Sequence, residues 1–177
     1  MGLQMLFLIA VNLSTCISKF AIFLHKNGQD ALLVGMEHYY DPNDFNRIFY
    51  YSDSSKTDDH LADILKDADK LLEMCGQDFD EVTEYQLLVR CLSEQTVIQD
   101  AARRLKEKGE GGMDSSMMQN PSDPDATFRK KAGKEYRGYA ANVEESVGKN
   151  GSIVTDYQFE QNTYSDSQFL LKYQLKQ

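Results

Sequence analysis

The sequence has few of the residues that build compact metal or disulfide sites. It contains three cysteines and three histidines in 177 residues, and their spacings match no structural zinc motif. The odd number of cysteines leaves one thiol unpaired in any disulfide scheme, which favours a reduced, cytoplasmic protein. We therefore expect structural or surface roles for His25, His38 and His60.

Positive charge is also scarce. There are 19 Lys and Arg residues against 28 Asp and Glu residues, for a net charge of -9. This balance excludes a protein that coats nucleic acid over its whole surface, because phosphate binding needs concentrated Lys and Arg. Most of the acidic excess lies in residues 1–112, whereas residues 113–177 are close to neutral. A local basic footprint is therefore still expected in the second part of the chain.

The amino terminus lacks the positive segment of a signal peptide, since no Lys or Arg precedes Lys19. Apolar residues dominate Leu3–Leu24, but polar residues such as Asn12 and Ser18 interrupt a membrane span. We expect a cytoplasmic chain that does not bind a membrane. The segment Leu13–Cys16 loosely matches a lipoprotein cleavage box, which leaves an exported, lipid-anchored protein as an alternative.

Hydrophobic periodicity predicts helices in the first part of the chain. Residues Thr57–Cys75 have apolar side chains at spacings of three and four. A second long helix is predicted from about Thr83 to Lys108, and further helices over Ser14–Asn27 and Asn43–Tyr51, the last entered from the Asp41–Asp44 turn. Cations near the end of the second long helix would suit its dipole: Arg103, Arg104, Lys106 and Lys108.

After Gly112 the pattern changes from helix to loop and strand. Met113–Pro124 holds two prolines and many short polar residues, which predicts a loop. Two runs of alternating apolar residues predict strands, with Gly148–Gly151 as the tight turn between them. Ser165 or Asp166 is expected to cap a final helix.

The segment Gln119–Tyr139, QNPSDPDATFRKKAGKEYRGY, joins a polar Pro/Asp loop, a cluster of cations and the Gly-Tyr start of a strand. Three other segments matter with it. One follows it, at Asn162–Phe169 (NTYSDSQF), and two precede it, at His38–Ile48 (HYYDPNDFNRI) and Glu84–Val97 (EYQLLVRCLSEQTV). In this order they resemble the DDE transposases of bacterial insertion sequences. The likeness covers nearly the whole chain except its first dozen residues.

The resemblance implies an α+β chain in four parts. These are a divergent apolar start (1–12), a mostly helical insertion region (13–110), a polar and basic loop (111–135), and a hairpin and helix from an incomplete ribonuclease H-like α/β core (136–177). The family cuts and joins DNA with Mg²⁺ or Mn²⁺ held by three carboxylates. On the family's pattern, the first catalytic Asp lies upstream of the helical region and the second lies downstream of the Asn162–Phe169 helix. Both are therefore expected outside these 177 residues.

The function implied is therefore that of a transposase fragment, inactive alone, whose parent enzyme cleaves DNA and transfers strands at element ends. A complete Asp-Asp-Glu triad is not identifiable, so no cofactor is expected in this chain. The alternative is a non-catalytic remnant that binds DNA or intact transposase and acts as a competitor.

The candidate DNA contacts are five cations near the start of the predicted sheet: Arg129, Lys130, Lys131, Lys134 and Arg137. The rings of Phe128, Tyr136 and Tyr139 lie between them and could pack or stack on bases. The alternative is a solvated basic loop followed by core aromatics.

The acidic residues favour local structural roles. Asp114 superficially resembles the first catalytic motif but follows a Gly-rich loop, so a turn is expected. Asp123 and Asp125 flank Pro124, where short acidic side chains suit turns, with a metal role as the alternative. Asp166 is interpreted as a helix cap, with a contact at the active-site edge as the alternative. Asp156 is expected on a solvated strand face.

Overall fold

The computed structural model describes residues 3–43, 57–76, 78–107, 109–111 and 115–175. The chain is α+β, as expected: helices come first, followed by two small antiparallel sheets and a C-terminal helix. It divides into two compact units, Met1–Met113 and Asp114–Gln177, which we call the helical unit and the sheet unit.

Three helices form the core of the helical unit: α1 (Leu3–Lys26), α2 (Thr57–Cys75) and α3 (Thr83–Gln95). Short 3₁₀ turns over Asp30–Leu33 and Glu37–Tyr39 follow α1. Helix α1 packs against both other helices. Its buried side chains recur every three or four residues, which places them on one face: Leu13, Cys16, Ile17, Phe20, Ala21 and Leu24.

The predicted helix over Thr57–Cys75 is confirmed in its bounds and in its buried stripe. Leu61, Ile64 and Leu71 are buried at the expected spacing. The helix ends at Gly76, where the backbone has φ +55 and its N–H donates to the Leu72 carbonyl at 3.0 Å. Such a left-handed residue commonly terminates a helix and favours glycine.

The prediction of one helix from Thr83 to Lys108 was wrong beyond Gln95. The chain there forms a hairpin of β1 (Thr96–Gln99) and β2 (Ala102–Leu105). Three consecutive β-branched residues begin at Thr96, and such side chains favour strands. Asp100 and Ala101 then have φ +51 and +61, values that fit a tight hairpin turn and not a helix.

Helix α1 begins at Leu3, well before the expected start at Ser14, and so includes most of the apolar start. Its segment Leu6–Lys26 is long and apolar enough to cross a membrane, and 56% of it is buried. A soluble core helix and a signal sequence share these properties, so the absence of a membrane segment remains a prediction. The helix predicted over Asn43–Tyr51 falls on residues 44–56, outside the described residues.

The sheet unit contains β3 (Thr127–Lys131), β4 (Lys134–Gly148) and β5 (Gly151–Gln161) in the order β3-β4-β5. The predicted hairpin is confirmed, because Gly148 pairs with Gly151 across the turn. The basic segment, expected as a loop up to residue 135, instead lies in β3 and the start of β4. Strand β4 is much longer than β3, so its second half pairs with β5 alone.

The final helix, α4 (Asp166–Gln174), begins at a reciprocal capping box. The Gln168 backbone N–H donates to Ser165 Oγ at 3.3 Å, and the Ser165 N–H donates to Gln168 Oε1 at 2.8 Å. Ser165 is therefore the cap, as one of the two expected choices. Phe169 is buried and lies edge-on to the Tyr164 ring at 5.0 Å.

Candidate nucleic-acid interface

A tight turn brings the cations of β3 next to those of β4. Ala132 and Gly133 form its two central positions, with φ +50 and +78. Two successive positive φ values are typical of the type I′ turn, whose twist matches that of the flanking strands. The turn fixes the register, so that Lys131 pairs with Lys134 and Lys130 with Glu135.

This register divides the basic cluster between two faces of the hairpin. Side chains alternate along each strand, and paired residues share a face. One face therefore carries Arg129, Lys131 and Lys134. The other carries Lys130 and Arg137. The structure thus brings all five predicted cations onto one hairpin but not onto one surface, and a single duplex face would meet two or three of them.

Lys131 and Lys134 lie directly opposite each other at the end of the hairpin. Like charges in this position destabilise a strand pair unless an anion lies between them. Within the described residues, none of the five cations forms an ion pair with a carboxylate. Lys130 has Glu135 as its cross-strand neighbour, which partly offsets its charge. The end of the hairpin is therefore the part of this cluster that most favours an anion.

Arg129 differs from the other four cations because it is half-buried. Its Nη1 donates a long hydrogen bond, 3.5 Å, to the Tyr164 carbonyl. Asn162 supports the same junction by donating from Nδ2 to the Tyr136 carbonyl at 3.0 Å. These contacts attach the hairpin to the loop before α4. Arg129 therefore has a structural contact in addition to its charge, whereas the other four cations are exposed.

Of the three rings between the cations, Tyr139 already has structural partners. Its hydroxyl donates to Asp123 Oδ1 at 2.5 Å, and its ring stacks on Phe159 at 4.7 Å. The hydrogen bond to Asp123 raises the pKa of Tyr139 to about 12. Phe128 is half-buried, whereas Tyr136 is about half exposed. Tyr136 is therefore the ring best placed to stack on a base.

Asp123 has the turn role expected of it. Its N–H donates to the Asn120 carbonyl at 2.9 Å, and its own carbonyl accepts from the Ala126 N–H at 3.1 Å. Asp125 lies exposed in the same turn. The third turn candidate, Asp114, lies outside the described residues.

Three carboxylates, those of Glu144, Asp156 and Asp166, line one cavity of about 470 Å³ between the sheet and α4. Asp156, expected to be solvated, is half-buried there. In the described part of the chain, no three His, Cys, Asp or Glu side chains are placed to hold a metal ion together. These residues do not fit the metal centre of the resembled family, and we derive no catalytic step from them.

Arg103 and Arg104 do not lie at a helix C-terminus, as was expected, but on β2. Arg103 Nε donates to Asp69 Oδ1 at 2.7 Å. Arg104 donates through both terminal nitrogens to the carboxylate of Glu110, each at 2.8 Å, and this holds the pKa of Glu110 at about 2. Both guanidinium groups are thus paired with carboxylates. No local pattern in the sequence indicates the pair with Asp69, which lies on another element.

The three cysteines are buried, and two of the three histidines lie beside carboxylates. Cys16 and Cys91 are fully buried on facing helices, and their mutual hydrogen bond and burial raise the pKa of Cys91. Burial raises the pKa of Cys75 to about 11. His25 Nδ1 lies 2.5 Å from Asp30, and His38 Nε2 lies 3.8 Å from a carboxylate on α2. A raised thiol pKa lowers reactivity, since the thiolate is the nucleophile.

No family model, curated protein or solved structure matches this chain.

Proposed function

We propose that this chain is a segment of a DDE transposase that contacts the DNA backbone through the β3–β4 hairpin. The resemblance of four long phrases supports the family. The opposed Lys131–Lys134 pair, with no carboxylate partner within the described residues, is the observation that carries DNA contact. The antiparallel β4–β5 pair followed by α4 supports an incomplete ribonuclease H-like core.

The chemistry of this interface is backbone contact without sequence readout. Lysines act as point charges towards phosphate oxygens, whereas Arg137 can donate a bidentate pair. Such contacts position a protein on DNA but carry no sequence information directly. Binding is expected to be weak, because the net charge of -9 opposes it. Sequence recognition at element ends and the Mg²⁺ or Mn²⁺ chemistry are assigned to the parent enzyme.

The same hairpin would also serve the alternative function of a remnant that competes with intact transposase for element ends. A remnant that instead binds intact transposase would not require this contact.

The salt dependence of binding tests this contact. If the two or three cations of one face each neutralise one phosphate, the log–log slope of affinity against salt should be roughly -1.8 to -2.7. Lys130 and Lys131 lie on opposite faces, so reversing both to Glu should remove about one contact and flatten the slope by roughly 0.9. Fluorescence anisotropy of a labelled duplex across a salt titration measures both slopes.

A charge-matched control separates local contact from net charge. Lys26 and Lys66 are exposed on α1 and α2, so reversing both to Glu changes the total charge by the same amount. We expect this control to keep the wild-type slope. An equal loss in both double variants would assign binding to overall charge, and no binding at low salt would refute the interface.

A further inference from the structure

The β4–β5 ribbon has one strongly apolar face. Ala141 pairs with Phe159, Val143 with Tyr157, and Glu145 with Val154. Paired residues share a face and neighbours alternate, and the irregularity between Glu144 and Glu145 skips one residue of β5, so Val154 and Tyr157 lie on the same side. The register also places Tyr139, Glu145 and Ser152 on this side, which is otherwise apolar beyond Tyr139. We call it the apolar face: Ala141, Val143, Val147, Val154, Tyr157 and Phe159.

Helix α4 lies on the opposite face of the ribbon. Lys172 on α4 contacts Glu160. Glu160 lies on the face of the ribbon opposite to that of its neighbour Phe159. Asn142, Glu144, Asp156 and Gln158 line the cavity that α4 closes with Asp166 and Leu170, and Val143 and Tyr157 line it as well. The apolar face remains open within the described residues: its valines and its two outer rings are between 56% and 76% exposed.

The chemistry of this face differs from that of the basic hairpin. Its central part carries a single charge, Glu145, whose carboxylate accepts a hydrogen bond from the Ser152 hydroxyl. Aromatic side chains have roughly 200 Å² of surface each, so the five most exposed apolar residues present roughly 500 Å². A patch of this size without a cation suits an apolar protein surface and not a phosphate backbone.

We propose that the apolar face binds the same face of a second copy of this chain. Two such patches would bury roughly 1,000 Å², close to the lower limit for a specific interface. The face is also self-complementary in shape. Its large rings, Tyr157 and Phe159, lie on β5, and the smaller Ala141 and Val143 lie opposite them on β4, so a ridge runs beside a groove.

A two-fold axis parallel to the strands places the ridge of each copy over the groove of the other. Stacked sheets normally interdigitate in this way with a modest crossing angle. The two copies of Glu145 then lie on a diagonal and not directly opposite each other. The rotation about an axis perpendicular to the strands instead sets ridge against ridge, which packs less well.

The mass of the full chain in solution tests the dimer. An interface of this size commonly gives micromolar affinity, so at about 100 µM we expect a mass near twice 20.2 kDa by sedimentation equilibrium. Tyr157→Lys and Val143→Glu should each restore the monomer mass. Both positions are exposed, so neither change disturbs a packed core. Ile98→Lys, at an equally exposed residue of β1, should remain a dimer.

A mixture of variants tests the arrangement. In the ridge-over-groove dimer, the lysine introduced at position 157 of one variant faces the glutamate introduced at position 143 of the other. Mixing Tyr157→Lys with Val143→Glu should therefore restore the dimer mass. A monomeric wild type, a dimeric Tyr157→Lys variant or open-ended aggregation would overturn the proposal. Failure of the mixture to associate would overturn the ridge-over-groove arrangement.

Discussion

Replacing Lys134 with Glu is expected to raise the stability of the sheet unit while it weakens DNA binding. Lys131 and Lys134 lie directly opposite each other beside the Ala132–Gly133 turn. The change converts a like-charge pair into an opposite-charge pair. Cross-strand pairs contribute roughly 0.2–1 kcal/mol, and exposure screens both charges, so we expect a gain of about 0.5 kcal/mol.

DNA binding should change in the opposite direction. The carboxylate introduced at position 134 would not contact a phosphate and would hold Lys131 in an internal ion pair. About two contacts are then lost, so the log–log salt slope should flatten by roughly 1.8. The two effects have opposite signs because an anion that relieves the Lys131–Lys134 repulsion can come either from DNA or from the protein itself.

Lys130→Glu is the matched control because Lys130 lies opposite Glu135. There the same substitution creates a like-charge pair, so stability should fall, whereas the salt slope should change little because Lys130 lies on the face opposite to Lys131 and Lys134. Urea unfolding followed by circular dichroism gives the stability, and anisotropy gives the slope. If Lys134→Glu destabilises the sheet unit, or stabilises it without weakening DNA binding, the assignment of this pair as an anion site is wrong.

Two further substitutions test local geometry. Ala101 has φ +61 in the β1–β2 turn, and Asp-Gly suits such a turn, so Ala101→Gly should stabilise the chain by about 1 kcal/mol in thermal unfolding. The control Ala102→Gly, within β2, should instead destabilise it by about 0.5–1 kcal/mol. Equal effects of the two changes would contradict the turn assignment. The pKa of Tyr139 is raised from 10.0 to about 12, so the Asp123 contact stabilises the fold fully below pH 10 and is lost as the pH rises through 12. Asp123→Asn should therefore move one tyrosinate absorbance step to lower pH, and an unchanged titration would show that the contact does not form in solution.

The elements that were predicted correctly are those determined by local patterns. The stripe of Thr57–Cys75 and its stop at Gly76 lie within one helix, and the Asn150–Gly151 signal lies within one turn. The capping box at Ser165 spans four residues. In each case the residues that determine the structure are close in sequence, so propensity and tertiary structure agree.

The elements that were missed depend on longer-range contacts or on weaker turn signals. The helix expected up to Lys108 had favourable cations, but Arg103 instead binds Asp69 across the helical unit. The basic segment was expected as a loop because its turn, Ala132–Gly133, lacks the usual Asn-Gly or Asp-Gly pair. Because that turn was not predicted, the register of β3 and β4 was unknown. The division of the five cations between two faces therefore could not be predicted either.

The two proposed interfaces lie at different ends of β4, which makes their tests independent. The basic turn precedes Lys134, whereas the apolar face begins beyond Gly138, where the backbone has φ +118. A variant at Lys134 should therefore keep the mass of the wild type, and a variant at Tyr157 should keep its salt slope when binding is measured at low protein concentration. Avidity would couple the two only where dimers contact one duplex with both hairpins. A slope that steepens with protein concentration in the wild type, but not in Tyr157→Lys, would therefore connect both surfaces to one DNA complex.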